Sequence, residues 1–312
     1  MRVVVIGLGT QGHKRALVAG DAVVAIVDPI AAEATHRAIE DVALDSYDAA
    51  LVCTPDKAKY DILRWLAENG KDALVEKPLT LSPSEFDTLE AARQSSGALL
   101  YTAYNHRFEP HLVRVASLLA AETIGRVLML SIFYGNGTAR DVQNSPWRDQ
   151  GLGVIADLGS HMLNLVDFLL PRDPDEASLI PTIRWARRLE NASYDIFSMT
   201  LDHAGCFAEL QGSLVSWKNT FRLDVVGDAG SLHVDGLCKW GPSTLRIRER
   251  VLPSGRPIET EVVLEEPDPT WQAEYSHFQR LCSERETAHL HEDRIISAAL
   301  HSIEYQLSGR EL

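Results

Sequence analysis

The feature that most constrains this chain lies in its first twelve residues. The apolar run Val3-Val4-Val5-Ile6 leads straight into Gly7-Leu8-Gly9-Thr10-Gln11-Gly12. This is a G-x-G-x-x-G element placed where a buried strand should turn into a helix. Gly7 permits the tight turn, and Gly9 has no side chain to keep a pyrophosphate away. Gly12 lets the helix pack close to the strand, and the helix N-terminus offers free N–H groups and a positive dipole end to phosphates. Glycine-rich turns are common, so the bare pattern is weak and its context carries the weight. Residues 13–20 read as a short helix stopped by Gly20, and 22–27 as a second buried strand ended by Asp28. Asp28 stands at about the 20-residue offset of the acid that hydrogen-bonds a ribose 2′-OH. A carboxylate there favours NAD and repels the 2′-phosphate of NADP. The nearest arginine that could offset this is Arg37, expected on the following helix.

At 312 residues the chain is long enough for two domains. Thirty basic against 44 acidic residues leave a formal charge of −14. That balance argues against nucleic acid or an anionic membrane as partner, since both reward a basic face. The four cysteines, Cys53, Cys206, Cys238 and Cys282, are scattered with no C-x-x-C pair. They fit reduced thiols in a cytoplasmic protein, with no zinc site or disulfide framework expected. The chain opens on a strand, so no signal peptide is expected, and no apolar run approaches the roughly 18 residues that span a bilayer.

Strand–helix alternation continues through the first hundred residues. A helical stretch is expected from Asp28 to about Asp41, a third strand over 47–53, a helix over 57–69 and a fourth strand over 71–75 ending in Glu76-Lys77-Pro78. Ser82-Pro83-Ser84-Glu85 starts a helix that runs to about Ser96, and 97–101 reads as a fifth strand. This alternation gives an α/β Rossmann domain with a doubly wound parallel sheet. The pattern then changes. Residues 110–121 read as helix, 126–134 as strand, 135–153 as loop and 155–170 as helix. From Thr182 to about Leu264 nearly everything reads as strand, followed by helices at 269–284 and 292–307. The second domain is therefore α+β with a large, mostly antiparallel sheet. The boundaries are 1–104 and 105–312, with the last helix free to pack back on the first domain.

Taken in order, several segments resemble the glucose–fructose oxidoreductase / inositol dehydrogenase / MocA family. They are Gly7 to Gly12, Thr54-Pro55, Glu76-Lys77-Pro78, Asn105-His106-Arg107-Phe108-Glu109-Pro110, Ile124-Gly125-Arg126-Val127 and Gly151 to His161. The E-K-P triplet and the D-x-x-x-H after a glycine-rich bend are the specific parts. The resemblance covers almost the whole chain. It implies a Rossmann domain followed by an open-faced sheet domain, with substrate between the nicotinamide and the sheet. It places Thr10, Gln11, Thr54 and Pro55 in the cofactor site and implies a homodimer or homotetramer. Two departures stand out: Thr54-Pro55-Asp56-Lys57-Ala58-Lys59 has lysine where a histidine is common, which bears on adenosine or ribose contacts, and the stretch between Asp28 and the third strand is short, so its helix is expected to be trimmed.

The reacting groups follow from position and chemistry. Lys77 sits at the C-terminal end of a parallel strand, where such sheets place ligands. An ammonium there can hydrogen-bond a substrate hydroxyl and stabilise the developing alkoxide. Glu76 would reach the nicotinamide ribose, hold Lys77 or only cap the strand. Asp157 and His161, four apart, share a face on a helix. Imidazole can take a proton at neutral pH, and the resemblance makes His161 the general base and Asp157 the residue that orients substrate or base. A bland reading of this pair is a surface ion pair that steadies a helix. Asn105 could contact the nicotinamide end, and Arg107 could support the site or pair with an acid. Trp147 could stack on a sugar and Arg148 bind an anionic group, or Trp147 could merely pin its loop. His106, His111, His203 and His301 show no partner by spacing and read as structural or exposed.

The expectation is an NAD(P)-dependent oxidoreductase acting on a secondary alcohol of a sugar, cyclitol or sugar derivative, a small molecule, with NAD favoured. Two other readings stay open: a non-catalytic NAD(H)-binding sensor, and a redox-assisted glycosidase or lyase that keeps its NAD bound.

Overall fold

The computed structural model describes residues 1–170, 179–285 and 289–309. The chain divides into two compact units. One comprises Met1–Asn105 with Thr270–Ser297, the other His106–Pro269 with Ala298–Leu312.

The first unit opens with β1 (Val3–Ile6), α1 (Thr10–Ala19), β2 (Val23–Val27), β3 (Ala49–Val52), α2 (Asp56–Glu68), β4 (Asp72–Glu76), α3 (Pro83–Ser96) and β5 (Leu100–Ala103). The five strands pair in parallel in the order β2-β1-β3-β4-β5. Strands buried on both faces must be apolar throughout, and Val3 to Ile6 and Ala49 to Val52 are all buried. The cap expected for α3 is present: the Ser82 hydroxyl accepts from the Glu85 N–H, and the Glu85 carboxylate accepts from Ser82 N–H in return. The fifth strand starts later than expected because Gly97 closes α3 in a left-handed conformation.

The helix expected between Asp28 and Asp41 does not form; two short 3₁₀ turns at Ile39–Asp41 and Leu44–Ser46 stand there instead. The Asp28 carboxylate takes the N–H groups of Ile30 and Ala31, and Thr35 bonds Ile26 through both its backbone and its hydroxyl. His36 then lies beside Val27 as a parallel bridge. Short polar side chains have offered the backbone partners that compete with helix formation. With Ile30 at 90 % exposure, no apolar stripe holds a helix against the sheet.

The second unit contains α4 (Pro110–Ala120), β6 (Val127–Gly135), the short α5 (Ala139–Gln143) inside the expected loop, and α6 (Ser160–Leu169). Strands β7 (Thr182–Arg187), β8 (Ile196–His203), β9 (Cys206–Ser213), β10 (Thr220–Gly227), β11 (Gly230–Asp235), β12 (Ser243–Val251) and β13 (Gly255–Leu264) follow. They form an eight-stranded sheet ordered β13-β12-β11-β10-β6-β9-β8-β7, antiparallel except for β6 against β9. Phe221, Leu223 and Val225 point into the core while Arg222 and Asp224 alternate outward, as the sequence predicts. The helix expected over 155–170 is not uniform: Ile155–Gly159 is a π turn that leads into α6.

Two helices close the described chain, α7 (Thr270–Glu284) and α8 (His289–Leu307). Within the first unit, Tyr275, Phe278 and Leu281 of α7 complete the core that covers Val3, Val5, Leu51 and Leu74 on one side of the sheet. The opposite side packs on α2 and α3 through Leu63, Leu66, Phe86 and Leu89.

Candidate active site

The nucleotide-type loop is built as the sequence implies, at the point where the strand order reverses on either side of β1. Gly7 takes φ +89°, and a Cβ there would lie 2.8 Å from the Cys53 carbonyl oxygen. A Cβ on Gly12 would lie 1.9 Å from the Gly7 carbonyl oxygen, so only glycine lets α1 start this close to β1. At Gly9, by contrast, an added Cβ meets nothing within 4 Å. The helix begins at Thr10, directly after Gly9, so Thr10, Gln11 and Gly12 supply the first-turn N–H groups, and that turn holds no acidic residue. An open cradle before an uncapped helix N-terminus fits a pyrophosphate.

Asp28 ends β2 and does more than the sequence shows. One carboxylate oxygen accepts from Leu8 N–H at 2.8 Å, tying the glycine loop; the other accepts from Ile30 and Ala31 at 2.9 and 2.8 Å. Burial alone pushes its pKa up, but these N–H groups outweigh that and hold the carboxyl below its ordinary range. The oxygen bound to Leu8 N–H retains a lone pair for a ribose hydroxyl. Arg37 is not on a helix. Its guanidinium donates to the carbonyls of Asp28 and Ala31, at 3.1 and 2.7 Å.

The remaining cofactor candidates stand at the same C-terminal edge of the sheet: Thr54 and Pro55 after β3, Glu76 at the end of β4, Lys77 after it, and Asn105 after β5. Asn105 donates its side-chain amide to the Thr270 hydroxyl at 2.9 Å. Glu76 has a partner that spacing could not reveal. Arg15 of α1, 1 % exposed, donates to Glu76 at 2.7 Å and to Glu274 of α7 at 2.6 Å, and lies 4.4 Å from the Trp271 ring. Burial opposes the Arg15 charge, but Glu76 and Glu274 hold its pKa above the ordinary value. Lys59 also acquires a role. It is 2 % exposed, and its ammonium donates to the Pro78 carbonyl at 2.7 Å while pairing with Asp56 at 2.7 Å. Burial pulls its pKa down against the pull of Asp56. The lysine that replaces a common histidine is thus a clamp on the E-K-P turn.

In the second unit, His161 is buried on α6, whereas Asp157 lies in the π turn with its carboxylate 41 % exposed and 3.9 Å from Arg148. The π turn interrupts the regular helical spacing on which the shared face of Asp157 and His161 was premised. Such turns recur at functional sites. Gly153 precedes the turn at φ +52°, and its missing side chain makes room for Ser193 and the Tyr194 carbonyl, protein groups rather than a ligand. Arg107 donates to Asn164 of α6 at 2.7 Å, bracing the helix that carries His161. Trp147 is 61 % exposed on its loop.

His106, read from the sequence as structural or exposed, is buried beside His161. Its ring centroid is 4.0 Å from that of His161, and its Nε2 is 3.3 Å from the Tyr134 hydroxyl. Lys239, from a 3₁₀ turn after β11, donates to that hydroxyl at 3.0 Å and lies 3.5 Å from His106 Nε2. Burial lowers the Lys239 pKa, while Asp268, Glu109 and Asp157 favour its charged form. The other buried histidines are structural, as expected: His111 and His203 bond the carbonyls of Ser243 and Leu170. Among the described residues, no group of three or more His, Cys, Asp or Glu side chains could hold a metal ion. No described helix is long and apolar enough to cross a membrane.

Comparison with known proteins agrees with this architecture. Residues 1–104 match the GFO/IDH/MocA oxidoreductase family with its NAD-binding Rossmann fold, and residues 112–233 match the GFO/IDH/MocA C-terminal domain. The chain is 29 % identical over 257 residues to an inositol 2-dehydrogenase of Rhizobium meliloti (strain 1021), covering 75 % of this chain and 76 % of that protein. It is 26 % identical over 265 residues to the scyllo-inositol 2-dehydrogenase (NAD(+)) of Bacillus subtilis (strain 168), covering 76 % and 74 %. In fold it is similar to a levoglucosan dehydrogenase in complex with NADH, with a TM-score of 0.79 at 18 % identity over 98 % of this chain and 97 % of that one. The parallel five-stranded sheet with its glycine loop, the eight-stranded second sheet and the two matched domains together show that this chain belongs to the GFO/IDH/MocA oxidoreductase family.

Proposed function

We propose that the protein is an NAD-linked dehydrogenase that oxidises a secondary alcohol of a cyclitol, sugar or sugar derivative, and reduces the ketone in reverse. The observation that carries this reading is that one chain holds both an open glycine cradle closed by an ionised Asp28 and a buried histidine cluster around His161. The inositol dehydrogenases among its relatives support the substrate class. Bound NAD supplies the two-electron acceptor at its nicotinamide ring.

The protein's own residues do the rest. First-turn N–H groups of α1 hold the pyrophosphate, and Asp28 accepts from the adenosine ribose hydroxyls. Thr54, Pro55 and Asn105 line the same cofactor edge, and Glu76, fixed by Arg15, lies along it. Lys77 donates to the substrate oxygen and stabilises the charge that develops there. His161 accepts the hydroxyl proton, and Asp157 orients the substrate. Arg107 braces α6, while Trp147 and Arg148 meet the distal part of the substrate. In this division of labour residues 1–104 form the NAD-binding domain, which also lends Lys77 to the reaction, and 105–312 the domain that chiefly serves the substrate. NAD is preferred to NADP because Asp28 is an anion and Arg37 is already committed to carbonyl groups.

The protein works in the cytoplasm as a homodimer or homotetramer. The cysteines Cys53, Cys206, Cys238 and Cys282 are all free thiols, which suits a reducing compartment. The outer face of the second sheet exposes Met129 and Phe207, which suits burial against another copy. Calorimetric titration with NAD, followed by a screen of inositols and sugars for NADH formation, tests the reading. Loss of turnover in Lys77→Ala and His161→Ala with NAD still bound supports it. Wild-type turnover in both variants overturns it.

A further inference from the structure

The histidine cluster of the second unit contains a cation that the proposed chemistry does not use. We propose that Lys239 is a positioning residue for the general base: it keeps the His106–His161 imidazole pair neutral, so that His161 is ready to accept a proton. This inference rests on the dehydrogenase reading above, in which His161 is the base.

The argument starts from donors and acceptors. An ammonium has only hydrogens to offer. With Lys239 Nζ 3.0 Å from Tyr134 Oη and 3.5 Å from His106 Nε2, both atoms must present lone pairs toward it. Tyr134 Oη accepts from Lys239, and its own hydrogen is directed to His106 Nε2, 3.3 Å away. His106 Nε2 is therefore an acceptor, and the single proton of a neutral His106 sits on Nδ1. A protonated His106 would aim an N–H at an ammonium and a hydroxyl hydrogen. His161 is coupled to this arrangement through its ring, 4.0 Å from that of His106. A cation within about 4–6 Å disfavours a second cation. The two imidazoles therefore titrate as a pair. Lys239 opposes the first proton, and the first proton opposes the second.

The carboxylates nearby each have another partner. Asp157, on the π turn, would favour an imidazolium, but its carboxylate lies 3.9 Å from the Arg148 guanidinium. Glu109, at the start of α4, is buried, is pushed toward its neutral form, and receives both the N–H and the thiol of Cys238. Asp268 and Glu109 act on Lys239 itself and favour its ammonium form. His111 of α4 is spent on the Ser243 carbonyl, and the Arg107 guanidinium, on Asn164 of α6, adds positive charge beside the helix. Lys239 is in direct reach of a ring nitrogen, 3.5 Å from His106 Nε2.

The test is an NMR titration of the ¹⁵N-histidine-labelled full chain without cofactor or substrate, with His161→Gln for assignment. In the wild type the pair should take up its first proton clearly below the ordinary histidine value of about 6.5. In Lys239→Met the first uptake should rise by about one pH unit or more. Lys239→Arg, which restores the charge, should return it to the wild-type position. The acidic limb of kcat/KM for oxidation should move with the titration, a roughly tenfold loss of activity one unit below the wild-type limb. A merely structural lysine would lower turnover without moving that limb. Wild-type uptake at or above 6.5, or no rise in a folded Lys239→Met, overturns the proposal. Should Lys239→Met fail to fold, the wild-type titration decides alone. A titration shift without turnover supports the hold of Lys239 on the pair and overturns the dehydrogenase reading. Turnover without a shift does the reverse.

Discussion

Replacing Arg15 with methionine should destabilise the first unit strongly, and by an amount that depends on pH. Methionine fills most of the same volume and removes the charge. In the native protein Arg15 is 1 % exposed and bridges Glu76 at 2.7 Å and Glu274 at 2.6 Å, with Glu274 fully buried. Charge-assisted hydrogen bonds contribute about 1.5–3 kcal/mol each. Breaking a buried ion pair by removing one partner costs about 3–5 kcal/mol, because a carboxylate is left buried without its cation. The predicted loss near pH 8 is therefore about 3–5 kcal/mol. The variant can relieve part of it by binding a proton. An unpaired buried carboxyl has a folded pKa above its unfolded value of about 4.3. Between those two values the native state binds more protons than the unfolded chain, so stability falls as pH rises through the folded pKa. The deficit should accordingly be smaller near pH 5 than near pH 8. Urea unfolding followed by tryptophan fluorescence measures both, with Trp271 reporting from the network itself. Adding Glu274→Gln to Arg15→Met should recover part of the loss at the higher pH. A variant within about 1 kcal/mol of wild type near pH 8, or a deficit that grows on acidification, would refute the reasoning.

Other changes should read out the cofactor and reaction chemistry. Lys77→Ala or His161→Ala should lower kcat by about 100-fold or more, the usual scale of a general acid or base, while calorimetry finds NAD affinity within about threefold. Gly12→Ala should abolish NAD binding, since its Cβ would stand 1.9 Å from the Gly7 carbonyl oxygen; an unchanged dissociation constant contradicts this. Asp28→Ser should weaken NAD and narrow the gap to NADP by about tenfold, roughly 1.4 kcal/mol, as measured by the ratio of kcat/KM values. Lys59→Met should lower turnover more than NAD affinity, because the clamp on Pro78 is lost; equal losses in both would assign Lys59 to the cofactor instead.

The first unit was legible because its signals are local. A glycine loop after an apolar run, a capping box at Ser82 and Glu85, and strands buried on both faces each announce themselves within a dozen residues. The absent helix after Asp28 shows where such reading stops. The stretch carries alanines of good helical propensity, but Thr35 and Asp28 capture its backbone, and only Ile39 near its end enters the core. In the second unit the alternation of β10 gave the sheet its inner and outer faces, yet no local pattern could give the parallel pairing of β6 with β9. The π turn at Ile155–Gly159 was equally hidden, since the sequence carries helical apolar spacing straight through it. The site follows the same division. Lys77, Asp157 and His161 were singled out by motif. Arg15, His106, Tyr134 and Lys239 were not, because their hydrogen-bond partners lie between 28 and 259 residues away. Only the fold brings an otherwise ordinary lysine against a tyrosine and a histidine.

The most direct test of the account is the reaction itself. Purified protein with NAD should form NADH from at least one inositol or sugar in a broad panel, and Lys77→Ala and His161→Ala should lose that turnover while still binding NAD. Tight NAD binding with no NADH formed across the panel, in the wild-type protein, would contradict the claim that this chain is a dehydrogenase.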